Sequence, residues 1–183
     1  MILSDRDIRT ALQRLEDPLI VDPGFDPARL QPASLELTLD SYILVEEKPY
    51  LVRNSAGESI VRYPDQQFYD HTMNEQGFLL HNNQFVLAST VERVHIPRDL
   101  VAQVNGKSSH ARRGLVVHQT AGFIDPGFRG QITLELSNAS SWPIRLTPGM
   151  PICQLVFFQM TSAAERPYGS AGLGSHYQGQ RGP

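Results

Sequence analysis

Short apolar segments separated by turn residues recur along most of the chain. In SLELTL, Leu35, Leu37 and Leu39 alternate with polar residues, which is the period-2 pattern of a strand with one buried face. Ten further candidate strands follow, separated by turn residues at the close spacing expected of a sandwich or barrel. In chain order these are YILV, SIVRY, FLLH, QFVLAST, ERVHI, VAQVN, LVVHQ, QITLELS, PIRLT and ICQLVFFQM. The pattern predicts an all-β, jelly-roll-like barrel.

The first residues carry a helical pattern instead. Ser4 opens a capping-box motif, and Ile8, Leu12 and Leu15 then recur at helical spacing. We therefore expect one short amphipathic helix over residues 5 to 15.

Two stretches are less regular than the rest of the chain. Residues 47 to 77 have mixed charge and few apolar runs, so we expect them to form an excursion from the barrel. Residues 168 to 183 are rich in Gly and Ser and cannot build a core of their own, so we expect a flexible lid that a ligand or a neighbouring subunit orders. With 183 residues and no internal repeat, the whole chain is predicted to be a single domain.

Composition narrows the class of function. A net charge of -3 argues against a general nucleic-acid binder, and no apolar run approaches the roughly 20 residues that cross a bilayer. The opening residues resemble neither a secretory signal nor a transit peptide, so we expect a cytoplasmic protein. The single cysteine, Cys153, cannot form an internal disulfide, and within ICQLVFF we expect it to pack as a buried hydrophobe.

Two carboxylates are candidates for chemistry. Glu135 lies in QITLELS, where Ile132 and Leu136 share the apolar face and Glu135 faces away from the core. A carboxylate on a central strand can accept a proton, and the alternative is an ordinary solvent-facing residue. Asp125 precedes a Pro-Gly turn in GFIDPGFRG, where it is either a turn cap or a second site residue.

A cluster of basic residues lies in the middle of the chain, at Lys107, Arg112, Arg113 and Arg129. Within it, NGKSSHARRG combines two glycines, two hydroxyls and three cations, a set able to surround phosphates with donors. It is not a Walker A loop, because Val101 stands where that motif needs its first glycine. The cluster suits a small anionic ligand, and a solvated basic surface loop is the alternative.

Together these motifs resemble the dCTP deaminases, which share a fold with the trimeric dUTPases. GKSSHARRG resembles the family's G-R/K-S-S-L-x-R-L-G signature, and HQTAGFIDPGFRGQITLELSN resembles its central block. PGMPICQLVF and RPYGSAGLGSHYQGQ resemble its closing segments, and MILSDRDI and QPASLELTL its opening. The resemblance covers nearly the whole chain and is weakest across residues 47 to 77. It implies a distorted jelly-roll β-barrel of the dUTPase-like type with a short N-terminal helix.

The resemblance also implies a catalytic set. Glu135 would be the general base and acid that activates water for attack on C4 of cytosine. Ser108 would help to position that water, and Arg112 would stabilise charge near Glu135. Asp125 resembles the residue that holds the deoxyribose 3'-hydroxyl and, in relatives that also hydrolyse the triphosphate, aligns the attacking water.

The same resemblance implies the substrate-binding residues. Thr133 and Leu134 would line the base pocket, and Lys107 and Ser109 would meet the phosphates. His110 and Ala111 of the serine motif belong to the same set. Four further residues fall where the family contacts the triphosphate: Gln154, Tyr168, His176 and Gln180. The ligands would be dCTP and deoxyuridine nucleotides, and the assembly would be a homotrimer with its sites between subunits.

We expect no zinc. The zinc-dependent cytosine deaminases hold their metal with His and Cys ligands, whereas this chain has one cysteine and six histidines without H-E-x-x-H spacing. Magnesium is expected only with the triphosphate, because phosphate and water supply most of its ligands in such complexes.

The product and the activity leave alternatives open. Members that stop at dUTP tend to carry T-A-H-R before the I-D-P-G turn, whereas Gly122-Phe123 here resembles the bifunctional members, so we expect dUMP rather than dUTP. A plain dUTPase shares the fold and the counterpart of Asp125 but has no need of Glu135. A non-catalytic nucleotide-binding protein is the third alternative.

Several positions depart from the family's pattern. His110 and Arg113 replace leucines, and Glu36 and Thr38 replace Asp and Arg. His176 replaces a lysine, and a neutral imidazole gives the triphosphate less charge than an ammonium does. We therefore expect a nucleotide affinity that is lower or more dependent on pH.

Overall fold

β-Strands form the frame of the molecule. The structure is a computed structural model that describes residues 1–183. It contains α1 (Asp5–Leu12), a 3-10 turn (Pro27–Arg29) and α2 (Ser108–Ala111). The strands are β1 (Ile20–Asp22), β2 (Leu30–Gln31), β3 (Ser34–Glu46), β4 (Tyr50–Arg53), β5 (Ser59–Arg62), β6 (Phe68–Thr72), β7 (Phe78–Leu80), β8 (Phe85–His95), β9 (Leu100–Gly106), β10 (Leu115–Val116), β11 (Phe123–Ile124), β12 (Arg129–Asn138), β13 (Ile144–Leu146) and β14 (Pro151–Gln159). None of the helical segments has both the length and the apolar character needed to cross a bilayer.

A ten-stranded antiparallel sheet dominates the fold. Its main path runs β10, β12, β8, β3, β14, β9, β11, with β1 added to β8 and with β2 and β6 added to β3. The first half of β3 pairs with β14, whereas its second half pairs with β8 and β6, with a register shift between Leu39 and Ile43. A strand that changes partners in this way turns a corner and curls the sheet into an open barrel. The prediction of an all-β barrel with a short N-terminal helix is confirmed.

The inward faces of the strands are those that alternation predicted. Leu37 and Leu39 of β3 and Leu134 and Leu136 of β12 are completely shielded from solvent. They belong to one cluster of 32 buried apolar residues. Burying one such side chain contributes roughly 1.5 to 3 kcal/mol, so the core fixes which face of each strand turns inward. The opposite face of β12 is thereby left for polar residues.

Helix α1 ends earlier than its apolar pattern predicted. The Ser4 capping box is present, but the helix stops at Leu12 and the side chain of Leu15 is 100% exposed. The N–H of Gln13 donates to Thr10 O at 3.1 Å, a tight last turn that closes the helix. The expectation of a helix over residues 5 to 15 is wrong beyond Leu12.

The stretch from 47 to 77 contains more regular structure than expected. β4 and β5 pair with each other as a largely exposed hairpin, whereas β6 pairs with β3 and extends the main sheet. SIVRY predicted β5, whereas β4 was not predicted, because an exposed strand has no buried face to impose alternation of apolar residues. Elsewhere QFVLAST and ERVHI join in β8, and only Leu115–Val116 of LVVHQ is a strand.

Cys153 lies in β14 and is completely buried, as predicted. Burial raises the pKa of its thiol, which disfavours the reactive thiolate. We expect iodoacetamide to leave Cys153 unmodified in the folded protein at neutral pH and to alkylate it fully in concentrated guanidinium chloride. Mass spectrometry of the intact chain measures both states, and rapid alkylation without denaturant would contradict the buried placement.

Candidate active site

Glu135 stands on the outward face of β12, between two strands that hold it in place. Thr133 and Ser137 share this face with it, and all three are half-buried. The N–H of Glu135 donates to Val117 O at 3.2 Å. Its carboxylate oxygen Oε2 accepts a 2.7 Å hydrogen bond from the N–H of Gln119, and Oε1 takes part in no hydrogen bond within the chain. One oxygen is therefore fixed while the other is free to accept a proton from a ligand or water.

The C-terminal tail folds back onto the same face of β12. The side-chain amide of Gln180 donates to Thr133 Oγ1 at 2.9 Å and to Gln131 O at 2.7 Å. The N–H of Gly182 donates to Gln131 Oε1 at 2.7 Å. Both hydrogens of the Gln180 amide are therefore donated to β12. These bonds hold the tail at Thr133, two residues before Glu135.

Gly130 makes this close approach of the tail feasible. Its φ of +153° lies in a region that side chains rarely adopt, and a Cβ there would lie 3.1 Å from backbone atoms of Gln180. The neighbouring Arg129 accepts a hydrogen bond from Gly179 N–H through its carbonyl. The tail therefore contacts β12 through main-chain atoms as well as side chains.

Asp125 lies beyond the end of β11, in an exposed turn beside a second part of the tail. Phe128 N–H donates to Asp125 O at 3.2 Å, which closes the turn. A cleft of about 420 Å³ opens next to it, between Asp125, Arg166 and Tyr168. That volume is in the range of small-molecule sites.

Tyr168 anchors the start of the tail beside this cleft. Its ring packs against Phe128 with 5.8 Å between ring centroids, and its N–H donates to Pro126 O at 2.7 Å. Its hydroxyl accepts a hydrogen bond from Tyr177 N–H at 3.1 Å. His176 is exposed and packs edge-on against Tyr177.

The serine motif forms the short helix α2 and its flanks. Ser108 and Ser109 are exposed, as are Arg112 and Arg113, and neither arginine forms an ion pair. A backbone hydrogen bond closes the single turn of α2, in which Ala111 N–H donates to Lys107 O at 2.9 Å. These hydroxyls and guanidinium groups are available to a phosphate.

Lys107 is the exception among these cations, because its ammonium group is paired with Glu36 of β3. Both side chains are more than four-fifths buried, at 18% and 17% exposure. Gln154 lies directly opposite Glu36 in the register of β14 and β3, and its amide donates to Gly106 O at 3.1 Å. Its Oε1 accepts from Ser34 Oγ at 2.8 Å. Lys107 and Gln154 therefore lie close together, but both already have partners.

The remaining residues of the serine motif differ in what they can contact. His110 Nε2 lies 2.9 Å from Pro151 O, which occupies one nitrogen of the ring. Ala111 is exposed on the last turn of α2. Neither of them contacts Glu135.

Within one chain the predicted residues fall into three groups. Thr133, Glu135 and Gln180 form the first, Asp125 and Tyr168 the second, and the serine motif with Gln154 the third. No hydrogen bond or ion pair joins the side chain of Glu135 to the serine motif. The side chain of His176 forms no hydrogen bond or ion pair with any of the three groups.

The side chain of Leu134 faces the core and not the side of Glu135. The resemblance implied that it lines the base pocket, but its side chain is completely buried in the core because it alternates with Thr133 and Glu135. Only its backbone faces the region of Glu135.

Gly122 is packed against a histidine. It is buried, and a Cβ at this position would lie 3.0 Å from His118 Cε1 and 3.2 Å from Val104 O. Its carbonyl accepts a 2.7 Å hydrogen bond from Val104 N–H. Phe123 follows with 67% of its surface exposed. A bulkier residue at position 122 would displace the ring of His118.

Two residues of the site were not predicted, Gln119 and Ser137. Ser137 could have been found, because it follows Glu135 by two positions on the same strand face. Gln119 carries no such signal, since it lies in a loop that meets Glu135 only in the folded chain. No group of three His, Cys, Asp or Glu side chains forms a metal-binding cluster.

Comparison with known proteins identifies relatives along the full chain. The family model described as dCTP deaminase-like matches residues 2–160. The "dCTP deaminase, dUMP-forming" of Acidothermus cellulolyticus is 48% identical, with 100% of this chain and 93% of that protein covered. The protein of the same name from Corynebacterium kroppenstedtii is 49% identical, with coverage of 100% and 95%.

A solved structure shows the same fold. The crystal structure of 2'-deoxycytidine 5'-triphosphate deaminase from Agrobacterium tumefaciens matches with a TM-score of 0.64 at 26% identity. The match covers 85% of this chain and 47% of that chain, so the present chain spans about half of its length.

Proposed function

The chain belongs to the dCTP deaminase-like family, and on that premise we propose that it deaminates dCTP and hydrolyses the triphosphate to give dUMP. The observation that carries this proposal is the carboxylate of Glu135. One of its oxygens is fixed by the N–H of Gln119, and the other is free on the outward face of a central strand. A group held in this way suits repeated proton transfer to and from one position.

In the proposed deamination, Oε1 of Glu135 accepts a proton from water while the water oxygen bonds to C4 of cytosine. The tetrahedral intermediate then receives that proton on its amino nitrogen. The C4–N bond to the amino group breaks and ammonia leaves, while the second proton of the water passes from the C4 hydroxyl through Glu135 to N3 as the uracil carbonyl forms. Ser108 positions the water, and Arg112 stabilises the charge that develops beside the carboxylate.

The second step is hydrolysis of the triphosphate. Asp125 contacts the 3'-hydroxyl and aligns a second water, which attacks the α-phosphorus and releases pyrophosphate. The cleft beside Asp125 and Tyr168 supports this assignment, because the Asp125 carboxylate and Arg166 both line its concave surface. The relatives at 48% and 49% identity carry dUMP formation in their names.

We assign phosphate binding to Lys107, Ser108, Ser109 and Arg112, with Gln154 and His176 as further contacts. Since the serine motif does not contact Glu135 within one chain, we propose a homotrimer in which a neighbouring subunit supplies it. His110 and Ala111 then face the nucleotide from that neighbour, and Thr133 contacts the base.

Magnesium would accompany the triphosphate in this proposal. Phosphate oxygens and water are ligands that Mg²⁺ commonly keeps, so the protein need contribute few or none. The metal would offset phosphate charge and would help to place the α-phosphorus for attack. We further propose that the enzyme acts in the cytoplasm.

The product mixture tests this function. We expect purified protein incubated with dCTP and Mg²⁺ to yield dUMP and pyrophosphate, separated by ion-exchange chromatography, without a pool of dUTP. Accumulating dUTP without pyrophosphate would instead identify a deaminase that stops at the first step. Cleavage of dUTP with no reaction of dCTP would identify a plain dUTPase, and binding of dCTP without turnover would identify a non-catalytic protein.

A further inference from the structure

The segment Val117–Gln119 runs beside β12 and brackets Glu135 from its backbone to its carboxylate. Val117 O accepts the hydrogen bond of Glu135 N–H at 3.2 Å, and Gln119 N–H donates to Glu135 Oε2 at 2.7 Å. The second contact is charge-assisted, and such bonds are about twice as strong as neutral ones. The orientation of the carboxylate therefore depends on where the Gln119 backbone lies.

The side chain of Gln119 fastens this backbone to β12. Its amide Nε2 donates to Ser137 Oγ at 2.9 Å, on the strand residue two positions beyond Glu135. Gln119 is exposed, and its side chain forms no other hydrogen bond. The bond to Ser137 is therefore the contact that restrains this side chain. The far end of the loop is anchored separately, where Val104 N–H donates to Gly122 O at 2.7 Å.

We propose that Gln119 is a positioning residue for the deamination and that Ser137 is its partner. The hydrogen bond between their side chains holds the Gln119 N–H against Glu135 Oε2. This leaves Oε1 as the oxygen that exchanges protons with the substrate. The proposal rests on the proposed function and adds to it two residues that touch neither base nor phosphate.

The size of the effect follows from the precision that proton transfer requires. A misplacement of roughly 1 Å can cost about 10²-fold in rate, even when the substrate still binds. We therefore expect Gln119→Ala and Ser137→Ala each to lower kcat for ammonia release by about 10-fold to 10²-fold. The KM for dCTP should stay within about twofold, since in this proposal both side chains act through Glu135 and not on the nucleotide.

The variants test the hydrogen bond itself. The double variant should be no slower than the single ones, because both substitutions remove the same interaction. Ser137→Thr keeps the hydroxyl and should restore kcat. Thr120→Ala, an exposed neighbour in the same loop, is the matched control and should match the unmodified protein. A Gln119→Ala kcat within about twofold of the unmodified value, or losses that multiply in the double variant, would overturn the proposal.

Hydrogen exchange separates failure of this inference from failure of the proposed function. We expect the backbone amide of Gln119 to exchange slowly in the unmodified protein and faster in Ser137→Ala, whether or not the protein acts on dCTP. Fast exchange of that amide in the unmodified protein would overturn the positioning role. Slow exchange together with no ammonia release from dCTP would overturn the function alone.

Discussion

Glu135→Gln should abolish deamination of dCTP while leaving the fold and nucleotide binding in place. The amide keeps the shape of the side chain but cannot accept the proton of water. Loss of a general base typically costs about 10² to 10⁴ in rate, and the loss is larger when one group serves both proton transfers. Ammonia release measures the rate, and calorimetry with dCTP measures binding.

The matched control is Glu47→Gln, which makes the same change at an exposed glutamate whose side chain forms no ion pair. It should behave as the unmodified protein does. Near-normal ammonia release by Glu135→Gln would remove Glu135 from the mechanism, and loss of dCTP binding in that variant would assign the residue to binding instead.

Removing residues 168–183 should also cripple turnover, by about 10²-fold or more if the tail orders the substrate as lids do. The contacts that would be lost include the Gln180 amide on Thr133, two residues from Glu135, and the Tyr168 ring beside the Asp125 cleft. The barrel should survive, because all fourteen strands of the chain precede residue 168. Circular dichroism should show an intact fold, and light scattering should show an unchanged number of subunits, which is three in the proposed homotrimer.

A chain that lacks Pro183 alone is the control, since that residue makes no hydrogen bond. It should retain full turnover. If the chain ending at Pro167 works as well as the intact one, the tail has no part in catalysis. If light scattering shows a fully active monomer, the shared site between subunits is wrong.

Alternation predicted the strands that have one buried and one open face. In β12 the apolar face packs into the core, so the outward position of Glu135 and Thr133 follows from the sequence. Of the hairpin strands, SIVRY predicted β5, whereas β4 escaped prediction because it has no buried face to impose alternation. Helix α1 was predicted too long because Leu15 continues the apolar spacing although it is fully exposed.

The site was harder to predict where it depends on contacts between distant residues. Gln119 meets Glu135 only after the loop folds against β12, and no local pattern marks that approach. The tail was expected to be a flexible lid from its Gly and Ser content. Composition alone did not reveal that the Gln178 and Gln180 amides reach main-chain carbonyls of Gly127 and Gln131.

The most direct measurement follows ammonia and pyrophosphate together in one reaction of purified protein with dCTP and Mg²⁺. If one site carries out both steps, the two products should appear at equal rates, with dUMP as the nucleotide product. Pyrophosphate release without ammonia, or no release of ammonia under any condition in which the protein is folded, would contradict the assignment of Glu135 as the base of a dCTP deaminase.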